Sequence, residues 1–150
     1  MKRNRTLSMH STRNPRSARG FTLIELMVTV GIVAILATIA YTSYSSFIIK
    51  SRRAAAATCL QERAQFLERF YTTNLSYLDP ATGAAPAIAQ CGPEIANFYQ
   101  VGYAVASTAR TYQLQAVPQA NQPDERCGTL TLDSTGQRGE NGTGNVDDCW

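Results

Sequence analysis

Arg19-Gly20-Phe21-Thr22-Leu23-Ile24-Glu25-Leu26 joins a basic, polar leader to a long apolar run. The leader, residues 1–20, holds Lys2, Arg3, Arg5, Arg13, Arg16 and Arg19 and no acid. From Phe21 to Ala40 the chain is almost entirely apolar, with one carboxylate, Glu25, inside it. At about 1.5 Å per residue this run makes a helix of roughly 30 Å, one hydrocarbon thickness. A charge in such a place is costly, about 2.5–3.5 kcal/mol at mid-membrane on insertion scales. A plain anchor has no use for Glu25, so a partner must meet it, and the segment is built to assemble. A secretory signal cut after Thr38-Ile39-Ala40 is the competing reading, and it leaves Glu25 unexplained.

Six basic residues precede the run, whereas Lys50, Arg52 and Arg53 follow it. Positive-inside bias then puts the leader in the cytoplasm and the C-terminal part across the membrane. The 150 residues carry a formal charge of +3, but without the leader eight basic residues face eleven acidic ones, a charge of about −3. A strongly basic nucleic-acid binder would look different; only a local arginine cluster would serve. The sole histidine, His10, lies in the leader, which excludes a histidine metal site or a Ser-His-Asp triad from the rest.

Cys59, Cys91, Cys127 and Cys149 all lie beyond the apolar run. An even count in an oxidising compartment reads as two disulfides, and spacing leaves the three pairings open. No C-x-x-C pair is present, so zinc is not expected. No glycine-rich phosphate cradle and no catalytic set are visible, and neither an enzyme nor a cofactor is expected.

Tyr41, Tyr44 and Phe47 form an aromatic stripe near the outer interface. The helical pattern continues from Arg52 through Tyr71, with Ala56, Leu60, Ala64, Leu67 and Tyr71 on one face. Cys59, Phe66 and Phe70 widen the stripe, while Ala57, Gln61 and Glu68 fall elsewhere. Asn74 to Glu94 is broken by Pro80, Gly83, Pro86 and Pro93 and reads as a loop. Alternation then predicts strands at Tyr99–Val105, Tyr112–Ala116 and Thr129–Leu132, and a turn at Asp133–Gly136 leads into a fourth around Gln137–Gly139. Short links make the meander antiparallel. The fold class is α+β: a long N-terminal helix whose outer, amphipathic half packs on a four-stranded antiparallel sheet.

The unbroken run Gly20-Phe21-Thr22-Leu23-Ile24-Glu25-Leu26-Met27 resembles the type IV pilins and the related type II secretion pseudopilins. The resemblance implies cleavage by a prepilin peptidase between Gly20 and Phe21, N-methylation of Phe21, and a Glu25 that meets the terminal amine of a neighbouring subunit. It divides the chain into a cleaved leader (1–20), a transmembrane and filament-core helix half (21–50) and a periplasmic head (51–150). It also implies a bond between Cys127 and Cys149 closing a C-terminal loop on the sheet, with Cys59–Cys91 as the other. Trp150, in that loop, either packs on its own sheet or anchors an interface.

Glu62 to Tyr71, Cys127 to Leu132 and the closing Cys149-Trp150 are similar to PilE-type minor pilins. The function implied is a structural pilus subunit that helps initiate assembly and so supports twitching motility and adhesion. Its partners would be major and minor pilins, prepilin peptidase, the inner-membrane assembly platform and, before assembly, the membrane. The pattern departs at Thr42 and Ala34, where many type IV pilins carry proline and glycine. The alternatives are a DNA-binding competence pilin and a secretion pseudopilin. Nucleic acid is the less favoured partner here, because Arg110, Arg126 and Arg138 lie near acids and read as solvated surface.

Overall fold

The computed structural model describes residues 20–150; the leader's six basic residues and His10 lie outside them. The elements are α1 (Leu23–Asn74), α2 (Pro93–Ala96), β1 (Tyr99–Tyr103), β2 (Gln113–Pro118), β3 (Leu130–Asp133), β4 (Arg138–Gly139) and α3 (Val146–Cys149). The described residues fall into two compact units, divided between Ile39 and Ala40. In the first, the apolar side chains of α1 from Leu23 to Leu36 are exposed. An 18-residue window of α1 has a mean hydropathy of 2.4, long and apolar enough to cross a membrane.

In the second unit the sheet order is β1-β2-β3-β4, antiparallel throughout. Val101 faces Ala116, and Leu114 faces Leu132, so the alternating apolar residues share one face. Leu60 and Leu67 of α1 join Tyr99, Leu114, Ala116 and Leu130 in the buried cluster, and Ala64 and Tyr71 pack against its edge. This is the expected α+β architecture, with the C-terminal part of a long helix laid on a four-stranded antiparallel sheet.

The helix face differs from expectation at two positions. Ala57 is buried and Phe66 is 40% exposed. The sheet-facing line runs Arg53, Ala57, Leu60, Ala64, Leu67, Tyr71, at spacings alternating between four and three, with Ala64 and Tyr71 partly buried. At about 100° per residue Phe66 stands roughly 120° from Leu60 and cannot reach the sheet. The strand pattern also shifts slightly. Val105 lies outside β1 and is exposed, while β2 extends to Pro118.

Disulfides join Cys59 to Cys91, across 32 residues, and Cys127 to Cys149, across 22. Loop closures of this size stabilise by roughly 3–4 kcal/mol on a chain-entropy model. The first tethers the loop carrying Gln90 to α1. The Gln90 amide takes the place of a strand against the free edge of β1, donating to Val101 O (2.6 Å) and accepting from Val101 N (3.0 Å). Blocking a sheet edge in this way hinders pairing with stray strands.

Candidate functional site

Three regions carry the residues that the sequence singles out. The first is the start of α1. Thr22 caps it: its hydroxyl accepts from Glu25 N (3.2 Å), and its carbonyl accepts from Leu26 N (3.2 Å). Thr22-Leu23-Ile24-Glu25 has the threonine-to-glutamate spacing of a capping box, a sequence signal for a helix start just after Phe21. Glu25 thus sits in the first turn, where the helix dipole favours a carboxylate. Phe21 precedes the cap and lies outside the helix. Thr29 and Thr38 bond back to the carbonyls of Leu26 and Ile35 (2.9 and 2.7 Å), which removes most of their polarity from the helix surface.

The second region fastens the connector between β2 and β3 to α1. Arg53 and Asp124 are both buried and form a two-oxygen ion pair at 2.8 and 3.0 Å. The Tyr99 hydroxyl donates to the same carboxylate (2.7 Å). Gln122 is buried and donates to Ile49 O (3.1 Å). Arg52 lies over the Phe98 ring at 3.5 Å, a cation–π contact. Nothing in the local sequence pattern of Arg53 or Asp124 marks them as partners. The only hint is a charged residue on the helix line that otherwise holds alanine, leucine and tyrosine.

A related cluster closes the far end of α1. The Glu68 carboxylate accepts hydroxyl hydrogen bonds from Tyr77 (2.9 Å) and Tyr112 (3.0 Å), and Tyr77 stacks against both Tyr71 and Tyr112. Burial, then the bond to Glu68, pushes the Tyr77 hydroxyl up to about 12 and raises Tyr112 in the same order of causes. Burial first, then the bond to Asp124, raises Tyr99. A folded state that holds these protons is favoured below the ordinary tyrosine value. That stability is lost as pH rises above about 10, where the unfolded chain begins to release them. Glu68→Ala strands two buried hydroxyls and is expected to lower stability by about 1–3 kcal/mol, with Glu68→Gln losing less. Urea unfolding of both variants measures this, and equal midpoints for Glu68→Ala and the parent would remove the cluster's structural role.

The third region is the exposed arginines and the C-terminal loop. Arg126 pairs with Asp148 at 2.6 Å on the surface. Arg138 lies over the Trp150 ring at 5.3 Å, and Trp150 Nε1 donates to Gly139 O (3.0 Å). The indole is half-buried against its own head. Arg110 is exposed in the loop between β1 and β2, and no carboxylate among the described residues forms an ion pair with it. Among the described residues no group of three acidic, histidine or cysteine side chains could hold a metal ion.

Comparison with known proteins adds to this geometry. A family model described as "Type IV minor pilin ComP, DNA uptake sequence receptor" matches residues 42–131. The model of the prokaryotic N-terminal methylation motif matches residues 15–41. The type IV major pilin protein PilA of Myxococcus xanthus (strain DK1622) is 38% identical over 96 residues, covering 64% of this chain and 40% of that protein. The chain therefore spans about two-fifths of that relative's length. A solved type IV pilin from Shewanella oneidensis is 34% identical, with a TM-score of 0.47, and the match covers 60% of this chain and 89% of the other. The non-core minor pilin PilV of Neisseria meningitidis is 23% identical, with a TM-score of 0.49, and the match covers 65% and 90%.

Proposed function

This chain belongs to the type IV minor pilin family and carries a prepilin methylation motif, and on that premise we propose that it is a competence pilin whose head binds DNA for uptake. It is a structural protein and not an enzyme. The methylation motif implies processing by prepilin peptidase and assembly into a pilus. The observation that carries the DNA reading is the match of residues 42–131 to a family described as a DNA uptake sequence receptor. It favours this alternative over the assembly-initiating role to which the sequence points first.

In this proposal residues 1–20 are removed between Gly20 and Phe21, and Phe21 is methylated. Residues 21–50 hold the subunit in the inner membrane, with its N-terminus cytoplasmic, and later in the filament core. Residues 51–150 form a periplasmic head that reaches the cell surface with the pilus. Other pilins and the assembly platform are its partners. Initiation of assembly is retained as a second reading because α1 is helical from Leu23 to Asn74, with Ala34 and Thr42 where helix breakers are common in the resembled pilins.

The test is direct. Residues 40–150 contain the whole buried cluster and both disulfides, so this unit is expected to fold alone. The purified, oxidised unit should retard duplex DNA at low salt. With few exposed arginines, log affinity against log salt should have a shallow slope, about −2 to −3. Absence of binding at low salt, together with normal DNA uptake in a deletion strain, would overturn the reading. Loss of surface pili in that strain would return priority to assembly initiation.

A further inference from the structure

We propose that Leu75 is an apolar wedge that enters a base step of duplex DNA, with Arg110 on the phosphate backbone. The proposal rests on the DNA-receptor reading and specifies how the head grips its ligand.

Leu75 ends α1 with φ 56°, the one positive-φ non-glycine residue among those described. The left-handed conformation costs an L-residue roughly 1–2 kcal/mol, and glycine is the usual occupant of this helix-ending position. Leucine has no polar group to offset that strain by a local hydrogen bond, as asparagine does. Burial does not offset it either, because the residue is 77% exposed, the most of any large hydrophobic residue C-terminal to residue 47. A strained backbone that serves no packing is a reason to look for a function.

The conformation is held from below. Leu75 N donates to Tyr71 O (2.7 Å), which closes the helix end. Tyr77 N donates to Ala109 O (3.1 Å), and the Tyr77 ring is buried between Tyr71 and Tyr112. The side chain is thus carried on a firm base. The Tyr77–Ala109 bond ties the segment that follows Leu75 to the loop that carries the exposed Arg110, next in the chain after Ala109. The acids of this region have local duties: Glu68 accepts the two tyrosine hydroxyls, and Asp79 accepts from Ala81 N (2.7 Å) and Thr82 N (3.2 Å).

DNA is the occupant for two reasons. Minor-groove binders combine arginines with exposed apolar wedges, leucine among them, that unstack a base step and kink the duplex. The mature chain is also net acidic, at about −3, so phosphate attraction alone gives little affinity. A wedge supplies a contribution that salt does not screen.

The experiment uses the oxidised 40–150 unit and a random-sequence duplex of about 30 base pairs, labelled at both ends to report bending. Leu75→Gly relieves the strain, so its thermal midpoint should equal or exceed the parent's. Its DNA affinity should nevertheless fall about tenfold, with the bend lost and the salt slope unchanged. Leu75→Met should restore binding. Arg110→Gln should reduce the salt slope by about one. Parent-like binding and bending by Leu75→Gly would overturn the wedge while leaving the receptor reading intact. If that variant binds DNA normally yet is lost from sheared pili, Leu75 belongs to a protein contact and the wedge is again overturned. No DNA binding by the parent itself would remove the receptor reading and the wedge together.

Discussion

Asp124→Ala is expected to lower the stability of the head by about 3–5 kcal/mol, the largest effect of any single polar substitution in it. The substitution removes a carboxylate that serves two partners at once. Arg53 would remain buried with its charge unpaired, and the Tyr99 hydroxyl would lose the acceptor it holds at 2.7 Å. The connector between β2 and β3 would also lose its main attachment to α1. A single domain has only about 5–15 kcal/mol in total, so roughly a fifth or more of the stability is at stake. Urea unfolding of the oxidised head measures it. The double variant Arg53→Met, Asp124→Leu should recover most of the loss, since two apolar side chains leave no orphaned charge. A loss below about 1 kcal/mol for Asp124→Ala would mean that water reaches Arg53 and that the pair is a surface contact in effect.

Glu25→Ala is expected to be processed and retained in the membrane, yet to fall at least about tenfold in sheared pili, a loss of about 1.4 kcal/mol or more per subunit contact. On the proposed assembly, the carboxylate and the methylated amine of a neighbouring Phe21 would attract strongly in a low-dielectric filament core, and removal of one would leave the other uncompensated. The start of the helix should survive, because Thr22 caps the backbone N–H of residue 25 and not its side chain. The readout compares the pilin in the membrane fraction with that in the sheared fraction. Equal partition of Glu25→Ala and the parent would show that assembly does not use this carboxylate. Accumulation of uncleaved protein would point instead to a processing defect.

These two substitutions differ in how visible they are along the chain. Glu25 stands out because a charge inside an apolar run is conspicuous within a few residues, as is the Gly20-Phe21 junction. The helix face and the four strands are legible for the same reason: periods of about 3.6 and of 2 are local properties. The errors were also local in origin. Phe66 is apolar but points away from the sheet, and Ala57 is small enough to sit beneath it. The Thr22 cap is legible in its spacing to Glu25.

Asp124 is different. It lies 71 residues from Arg53, and the two meet only because the meander folds its connector back over α1. The same is true of Glu68 beneath Tyr77 and Tyr112, of Gln90 on the edge of β1, and of Trp150 on β4. The arginines show the division most clearly. In the sequence Arg110, Arg126 and Arg138 are three similar surface residues; in space Arg126 is paired, Arg138 covers an indole, and Arg110 stands exposed in the loop between β1 and β2.

The sequence by itself determined the methylation motif, the membrane-length helix, the amphipathic continuation and the alternating strands, because each is written in the order of neighbouring residues. Only the tertiary structure decided which charges are buried, which tyrosines share a carboxylate, and that a leucine at the end of α1 is held left-handed and exposed. Those outcomes depend on what packing brings together across dozens of residues, and on whether water still reaches the groups once it has.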